Sequence, residues 1–357
     1  MAQCCLNCFT DRAIIELIQR EGDISRCSFC DSDEFLCIAP EKLTGLFELV
    51  LGCIVEDIDG EEIQNVYVDE LKIVSETVRR PNDLISQIMG EEFNEKKFSF
   101  NAGIVEYQDA WNAFKNHLIK ENRFFPNNSL FGKIFINESN NEDTITTEAA
   151  VFLRTIDALS RPRDSGFIFH RARVSDKALR AHEMGSPPAA IASAGRANPV
   201  GIPYLYVAED FDTCCQEVRP SNGATIYVSE VIAARDLTLV DLTAPKQKVA
   251  LLKFEEEEIE LTLKCLNLLQ QFSEELSKPV LPEKSQLDYI PTQFICEYLR
   301  TIGSYQGTQS YDGIVFNSSY GSGQNVVLFS DDSVEIEAPT AHTVTSVSVE
   351  VEQLNLS

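Results

Sequence analysis

Residues 195–210 have the sequence GRANPVGIPYLYVAED. A turn bracketed by glycine and proline carries Arg196 and Asn198, and the apolar run Ile202–Val207 behind it predicts a β-strand with an acidic exit. A turn of this kind is usually a solvated loop. The function of its arginine and asparagine therefore depends on the segments that surround it.

The region around this turn, residues 163–357, alternates short apolar runs with turn residues. The runs are rich in Val, Ile, Tyr and Phe, and seven of them are predicted strands: FIFHRAR, PYLYVAE, ATIYVSEVI, DLTLVDLT, DGIVFNSS, NVVLF and TVTSVSVEVEQL. Two predicted helices interrupt them, FEEEEIELTLKCLNLLQQFSEEL and IPTQFICEYLRTI, so we expect an α+β domain built mainly of strands. The glycines of YGSGQN have no predicted helix behind them and indicate a hairpin turn rather than a phosphate-binding loop.

Residues 1–39 contain two Cys-x-x-Cys pairs separated by eighteen residues. Each pair offers two thiolates from a tight turn, and two pairs complete a tetrahedron, which predicts a structural zinc site formed by Cys5, Cys8, Cys27 and Cys30. Cys4 and Cys37 are spare thiols that can replace a ligand, and buried cysteines without a metal are the alternative. Between the pairs, DRAIIELIQREG has the apolar spacing of a helix ending at Gly22. A closed four-thiolate site leaves no position for a substrate, so we expect it to serve stability or docking.

Residues 40–162 are predicted to be mostly helical. Four segments repeat apolar residues at three- and four-residue steps: EKLTGLFELVLGCIVEDI, VYVDELKIVSETV, EYQDAWNAFKNHLIKENRFF and TTEAAVFLRTIDALSRP. Trp111 and His117 share the third segment, and core packing is the simplest explanation for both.

The composition limits the class of protein. A chain of 357 residues with 44% hydrophobic content is long enough for two or three packed domains. A net charge of −26 argues against sequence-independent binding of nucleic acid, which needs a basic face. No run approaches the roughly 20 apolar residues of a membrane span, and the N-terminus lacks the pattern of a secretion signal, so the eleven cysteines are predicted to be reduced. We expect a soluble, cytoplasmic protein that binds neither nucleic acid nor membranes, with domains at 1–39, 40–162 and 163–357.

Five segments of the last region resemble, in order, the RES domain family: FHRAR, GRANPVGIPYLYVAED, CCQEVRP, YIPTQFICEYLR and YDGIVFNSSYGSGQNVVLF. The family is named for an arginine, a glutamate and a serine. These match Arg171, Glu217 and either Ser318 or its neighbour Ser319. Further positions of the family pattern, in its pocket or in matching turns, are Arg196, Asn198, Tyr206 and Asn325.

The resemblance implies an ADP-ribosyltransferase-like fold and an enzyme that consumes NAD by breaking the bond between nicotinamide and ribose. Members act as toxins that deplete cellular NAD, so a neutralising antitoxin or immunity protein is implied as a partner. Arg171 and Arg196 would then hold the pyrophosphate or a ribose, and Glu217 would stabilise the cationic transition state. Tyr206 would stack on the nicotinamide, unless it is a core tyrosine, and Ser318 would fix the ribose or the carboxylate.

Several alternatives stay open at the level of sequence. The acceptor of the ADP-ribosyl group is water, phosphate or a protein, and a non-catalytic partner-binding protein would keep the same fold. The N-terminal part resembles the HEPN-like extension of longer family members, but their ribonuclease motif is not evident near His117. Cys214 and Cys215 have no adjacent cation to activate a thiolate and are predicted to pack a helix. His170 and His182 lie near the first arginine without a specific assignment.

Overall fold

The computed structural model describes residues 2–30, 32–135, 147–279, 285–306 and 310–348. The described chain forms two compact units. The first consists of residues up to Leu159 together with Ala244–Gln271, and the second of Ser160–Thr243 together with the residues from Phe272 onward. The division into three domains stays a prediction. In the ranges just given, no helix is both long enough and apolar enough to cross a membrane.

The helices and strands have the following bounds. The helices are α1 (Arg12–Glu21), α2 (Thr44–Glu48), α3 (Ile63–Asn65), α4 (Pro81–Met89), α5 (Glu106–Lys120), α6 (Thr147–Asp157), α7 (Phe211–Glu217), α8 (Pro245–Lys248), α9 (Ile259–Ser277), α10 (Ser285–Asp288) and α11 (Ile290–Gln306). The strands are β1 (Cys4–Cys5), β2 (Asp23–Ser25), β3 (Phe35–Ile38), β4 (Ile54–Glu62), β5 (Lys97–Phe100), β6 (Ser160–Arg163), β7 (Ile168–Val174), β8 (Leu205–Ala208), β9 (Thr225–Ala233), β10 (Leu237–Asp241), β11 (Gly313–Asn317), β12 (Gln324–Leu328), β13 (Val334–Ile336) and β14 (Thr340–Thr343).

The first unit begins with a small antiparallel sheet of order β1-β3-β2, and α1 lies between β1 and β2 in the chain. Asp11 caps α1 by accepting a hydrogen bond from the amide of Ala13. Ile14 and Ile18 are buried on one face of the helix, and the amide of Gly22 bonds to the carbonyl of Ile18 at its end. The helix predicted from apolar spacing between the cysteine pairs is confirmed.

The rest of the first unit is less helical than the sequence predicts. Helices α5 and α6 are confirmed, but the predicted helix over EKLTGLFELVLGCIVEDI stops short of Ile54, where β4 begins and pairs with β5. In VYVDELKIVSETV, helical turns end at Glu70, and Ile73 and Val74 pair with residues near Phe9 instead. Both predictions were wrong because pairing with distant segments outweighed helical spacing.

The second unit is built on a nine-stranded sheet. The strand order is β13-β9-β7-β8-β12-β11-β10-β6, with β14 also paired to β9. Only β10 and β11 pair in parallel; the other pairs are antiparallel. Six of the seven predicted strands are confirmed, as are the predicted helices at α9 and α11. The YGSGQN segment is a hairpin connection between β11 and β12, as predicted.

The predicted last strand, TVTSVSVEVEQL, is wrong over its described part. Only its first residue, Thr343, belongs to a strand, residues 344–348 form none, and residues 349–354 lie outside the described chain. The reason is the free edge of β9, which β14 covers from Thr225 to Val228 and β13 from Val231 to Ala233. Because β9 begins at Thr225, the alternating run that follows Thr343 has no strand left to pair with.

Helix α7 lies over the middle of this sheet, in contact with β7, β8 and β12. Asp210 caps the helix by accepting the amide of Thr213 at 2.7 Å. Buried small and branched side chains fill the space between helix and sheet: Ala172, Ala208, Cys214, Ile226 and Val228. This packing holds α7 against the sheet, and Glu217 at its end contacts Asn325 of β12.

Candidate active site

A cavity of about 260 Å³ lies between α7 and the central strands of the second unit. Several residues singled out in the sequence line it: Arg171, Arg196, Tyr206, Glu217 and Asn325. The remaining three, Asn198, Ser318 and Ser319, are not part of the lining. Ser318 and Asn198 nevertheless bond directly to residues that are.

Arg171 projects from β7 as a largely buried cation. Its guanidinium donates to the carbonyls of Tyr206 at 2.6 Å and Gly185 at 3.3 Å, while its Nε has no partner among the described residues. Burial, and then the neighbouring cation of Arg173, lower the pKa of Arg171 to about 9, which leaves it protonated at neutral pH. The charge of Asp331 favours the protonated form of Arg171, but Arg171 forms no ion pair with any described residue, so the cavity wall carries a positive charge that no salt bridge neutralises and that suits an anion.

Glu217 also lines the cavity, and two donors that reach the same oxygen hold it in place. Ser318 donates its hydroxyl to Oε1 at 2.5 Å, and the Asn325 amide donates to Oε1 at 2.7 Å. Over the described residues, Oε2 accepts no hydrogen bond. The carboxylate is therefore oriented by one oxygen and has the other available at the cavity.

The turn of residues 195–198 is locked from several sides. Tyr206 donates its hydroxyl to Oδ1 of Asn198 at 2.7 Å and accepts the amide of Ala197 at 3.0 Å. The side-chain amide of Asn198 bonds to three backbone carbonyls of its own loop: Ser193, Pro199 and Ile202. Arg196 lines the cavity, and its guanidinium also donates to the carbonyl of Leu276. Asn198 is thus a buried support of the turn rather than a wall of the cavity.

The acidic exit of the strand that follows this turn is also accounted for. Glu209 pairs with Arg161 at 3.0 Å and with Arg163 at 2.5 Å, both on β6. Arg161 in addition pairs with Asp241 at 3.0 Å. These carboxylates pair with arginines of the edge strand β6 and form no ion pair with Arg171.

The two serines at the start of the hairpin turn have different partners. The hydroxyl of Ser318 meets Glu217, whereas that of Ser319 donates to the carbonyl of Ser277 at 2.6 Å. The turn also passes close to α7, since a Cβ on Gly323 would lie 2.5 Å from Oδ2 of Asp210. Gly323 therefore allows a close approach between the hairpin turn and the first residues of α7.

Among the residues left without an assignment, His170 does line the cavity. Its Nδ1 is buried without a partner in the described chain, and its ring meets Phe211 edge to face. His182 is not a lining residue. Burial raises the pKa of the Cys214 thiol, which lines the wall as a neutral group and donates to the carbonyl of Phe211.

Phe316 lines the cavity and was missed from the sequence. It is the direct cross-strand partner of Asn325 in the β11–β12 hairpin, so the two side chains share one face of the sheet. The length of the turn around YGSGQN fixes which residues of β11 and β12 face each other. Aligning the two strands from the sequence would therefore have identified Phe316.

In the first unit, the four predicted zinc ligands form one cluster. The sulfur atoms of Cys5, Cys8, Cys27 and Cys30 all lie within 4.8 Å of one another. Three separations are 3.4, 3.4 and 4.0 Å, close to the edges of about 3.8 Å in a tetrahedron with metal–sulfur bonds of about 2.3 Å. The spare thiols point elsewhere: Cys4 contacts the carbonyl of Ile38, and Cys37 that of Ser25. The cluster is suited to hold a metal ion.

The RES domain family model matches residues 168–349, half of the chain, and this range contains Arg171, Glu217 and Ser318. The chain belongs to the RES domain family. RES domains are associated with toxins that act on NAD and that typically have antitoxin partners. No curated protein and no solved structure matches the chain.

Proposed function

We propose that this RES protein cleaves the bond between nicotinamide and ribose in NAD. The observation that carries the proposal is the presence of a cation and a carboxylate in the lining of one cavity. Arg171 is a largely buried cation that forms no salt bridge with a described residue, and Glu217 is an oriented carboxylate whose second oxygen accepts no hydrogen bond from a described residue. A dinucleotide with an anionic pyrophosphate and a cationic nicotinamide ribose fits this pair of charges.

In the proposed reaction the bond between C1′ of the ribose and the nicotinamide nitrogen breaks. The electron pair stays on nicotinamide, which leaves as a neutral molecule, and positive charge develops on the ribose. Glu217 stabilises that charge through its free oxygen while Ser318 and Asn325 keep the carboxylate in place. Arg171 and Arg196 hold the phosphates. Attack of water or phosphate at C1′ completes the reaction.

The family context extends the proposal to the fold and to the cell. We propose that the second unit has an ADP-ribosyltransferase-like fold, and that the protein acts as a toxin on NAD in the cytoplasm. Free expression would then harm the host, so a neutralising antitoxin or immunity protein is the proposed partner. The tight cysteine cluster of the first unit supports zinc as a structural ion that takes no part in the reaction.

The direct test is nicotinamide release from NAD by the purified full-length protein. We expect the wild type to release nicotinamide, and Glu217→Gln to lower kcat on the order of 10²-fold while NAD still binds in calorimetry. Arg171→Ala should instead weaken NAD binding and kcat/KM together. Glu230→Ala, an exposed change in the same unit, is the matched control and should behave as the wild type.

The same assay separates the acceptors. A rate that rises with added phosphate identifies phosphorolysis, and a rate independent of phosphate identifies hydrolysis. If NAD is consumed only when a protein substrate is added, the chain is an ADP-ribosyltransferase. Wild-type nicotinamide release by Glu217→Gln would show that the proposed mechanism is wrong.

A further inference from the structure

A second cavity of about 630 Å³ lies on the other side of α7 from the candidate active site. Cys214 and Glu217 of the helix face the first cavity, whereas Phe211, Cys215 and Gln216 face the second. The second cavity is more than twice the volume of the first. The smaller cavity lies below the range of roughly 300–1,000 Å³ that drug-sized ligands occupy, so it can hold only one end of a dinucleotide.

The same two chain segments reach from one cavity to the other. At the end of α7, Glu217 lines the first cavity and Arg219, two residues later, lines the second. At the hairpin turn, Ser318 bonds to Glu217 and Tyr320, again two residues later, lines the second cavity. The amide of Tyr320 donates to the Ser318 hydroxyl at 3.1 Å. Along both segments, residues that belong to the two sites are therefore at most about 7 Å apart.

The lining of the second cavity has the chemistry of a site for an aromatic anion. Among the described residues, the lining contains Arg219 and no Asp or Glu, in a chain with 56 acidic residues. The guanidinium of Arg219 lies 5.2 Å from the centre of the Tyr320 ring and forms no ion pair within the described chain. Phe211 and Tyr320 each expose more than a third of their surface. Aromatic faces stack on a base and a free guanidinium binds phosphate.

The backbone of Arg219 gives an independent indication. Arg219 has φ of 46° just after α7, a left-handed conformation that glycine adopts at much lower cost. Arginine is unusual at such a position, and Arg219 forms no salt bridge with a described residue that would account for it. Unfavourable backbone conformations of this kind concentrate where a side chain has a function.

We propose that this second cavity binds the adenine nucleotide half of the dinucleotide, with Arg219 on the phosphate and Tyr320 and Phe211 against the base. The ligand assignment rests on the proposed function, because it places the other half of the same NAD molecule. The nicotinamide ribose occupies the smaller cavity beside Glu217, and the pyrophosphate passes the end of α7 between Arg171 and Arg219.

The test uses ADP as the probe, with the full chain and isothermal calorimetry. We expect ADP to bind the wild type, and Arg219→Gly to bind it at least about tenfold more weakly, as the loss of a charge-assisted contact implies. Glycine suits the left-handed backbone, so this variant should fold at least as well as the wild type in thermal unfolding. Arg20→Ala, an exposed arginine of α1, is the control for the loss of charge and should bind ADP like the wild type.

Kinetics with NAD give a second readout. Arg219→Gly should raise KM for NAD by a similar factor with kcat little changed, because the contact is remote from the bond that breaks. The proposal is overturned if ADP does not bind the wild type at millimolar concentration, or binds Arg219→Gly equally well. If the protein releases nicotinamide but binds ADP equally well with and without Arg219, the proposed subsite is wrong and the proposed function stands. If ADP binding depends on Arg219 but the protein releases no nicotinamide from NAD, the proposed function is wrong and the ADP site stands.

Discussion

At the scale of single residues, Ser318 and Ser319 are adjacent in sequence and differ completely in what they contact. Ser318 orients the carboxylate of Glu217, whereas Ser319 bonds to a backbone carbonyl at Ser277. This placement favours Ser318 as the serine for which the family is named. Because the two serines are adjacent, the alanine variant of Ser319 is a matched control for that of Ser318.

We expect Ser318→Ala to lower kcat for nicotinamide release about tenfold, because a hydrogen bond to a charged group is lost. Ser319→Ala should lower it by less than twofold, since its hydroxyl bonds only to a carbonyl. Both rates are measured at saturating NAD, with thermal unfolding as the check on folding. The reverse order of the two effects would assign the family serine to Ser319.

Asp11 is a second residue whose environment leads to a prediction, here for the pH dependence of stability. It is buried, caps α1 through the Ala13 amide at 2.8 Å and accepts the Leu252 amide at 3.2 Å. Burial raises the pKa of Asp11 in spite of these bonds. The folded state therefore keeps the proton to higher pH than the unfolded chain. The stability that Asp11 contributes is complete below its unfolded pKa of about 3.9 and is partly lost as pH rises through the folded pKa.

We expect Asp11→Ala to lower the free energy of unfolding by about 1–2 kcal/mol, as the loss of a helix cap does. The difference from the wild type should shrink as pH rises from about 4 through the raised pKa, because only the wild type loses stability there. Urea unfolding can be followed by the fluorescence of Trp111, the sole tryptophan, which is buried in the same unit. A difference that grows with pH would contradict the sign of the shift.

At the scale of elements, the loop before β8 determines how the cavity wall is held. Gly195 allows the hydroxyl of Tyr206 to reach Asn198, since a Cβ on Gly195 would lie 2.5 Å from both Oδ1 of Asn198 and the Tyr206 oxygen. Those two atoms already bond to each other, so neither can move without breaking the lock on the turn. Arg196 is positioned by the same turn.

We expect Gly195→Ala to destabilise the second unit by about 1–3 kcal/mol, the usual range for overpacking, and to raise KM for NAD. Gly45→Ala is the control, because Gly45 lies in α2 with nothing near the added methyl group, and alanine there favours the helix. The measurements are thermal unfolding and NAD kinetics. Unchanged KM in Gly195→Ala would show that the turn does not position the substrate.

At the scale of the whole molecule, the cysteine cluster belongs to a unit larger than the cysteine segment itself. The amide of Thr10 donates to the carbonyl of Ile73 at 2.9 Å, and the amide of Arg79 donates to the carbonyl of Phe29 at 3.1 Å. These bonds join the two cysteine turns to residues 72–80. Disruption of the cluster is therefore expected to reach the rest of the first unit.

Metal analysis of the purified protein should give one zinc per chain. Removing it with a chelator, or replacing Cys27 and Cys30 with serine, should lower the unfolding temperature reported by Trp111, because a metal that binds only the folded state stabilises it. Nicotinamide release is expected to persist. Cys53→Ser, which changes a buried cysteine outside the cluster, is the control for zinc content. Wild-type preparations that contain no zinc would show that the predicted zinc site is wrong.

The local features of this protein could be read from its sequence. The spacing of the cysteine pairs predicted that these four cysteines cluster, apolar spacing predicted α1, α5, α6, α9 and α11, and six short apolar runs predicted strands of the sheet. Ordered segments such as FHRAR and CCQEVRP identified the family. All of these depend on residues within one turn, strand or helix, where spacing and residue type fix the backbone.

The tertiary structure alone decided what depends on distant partners. Pairing with β5 made a strand of β4, and the full edge of β9 left the alternating run after Thr343 without a partner. The first unit takes residues 244–271 from a region far along the chain, where Leu252 bonds to Asp11. In the candidate site, Asn325 orients Glu217 across 108 residues of sequence. Such contacts are set by which surfaces meet when the chain packs, and no local pattern of residues encodes them.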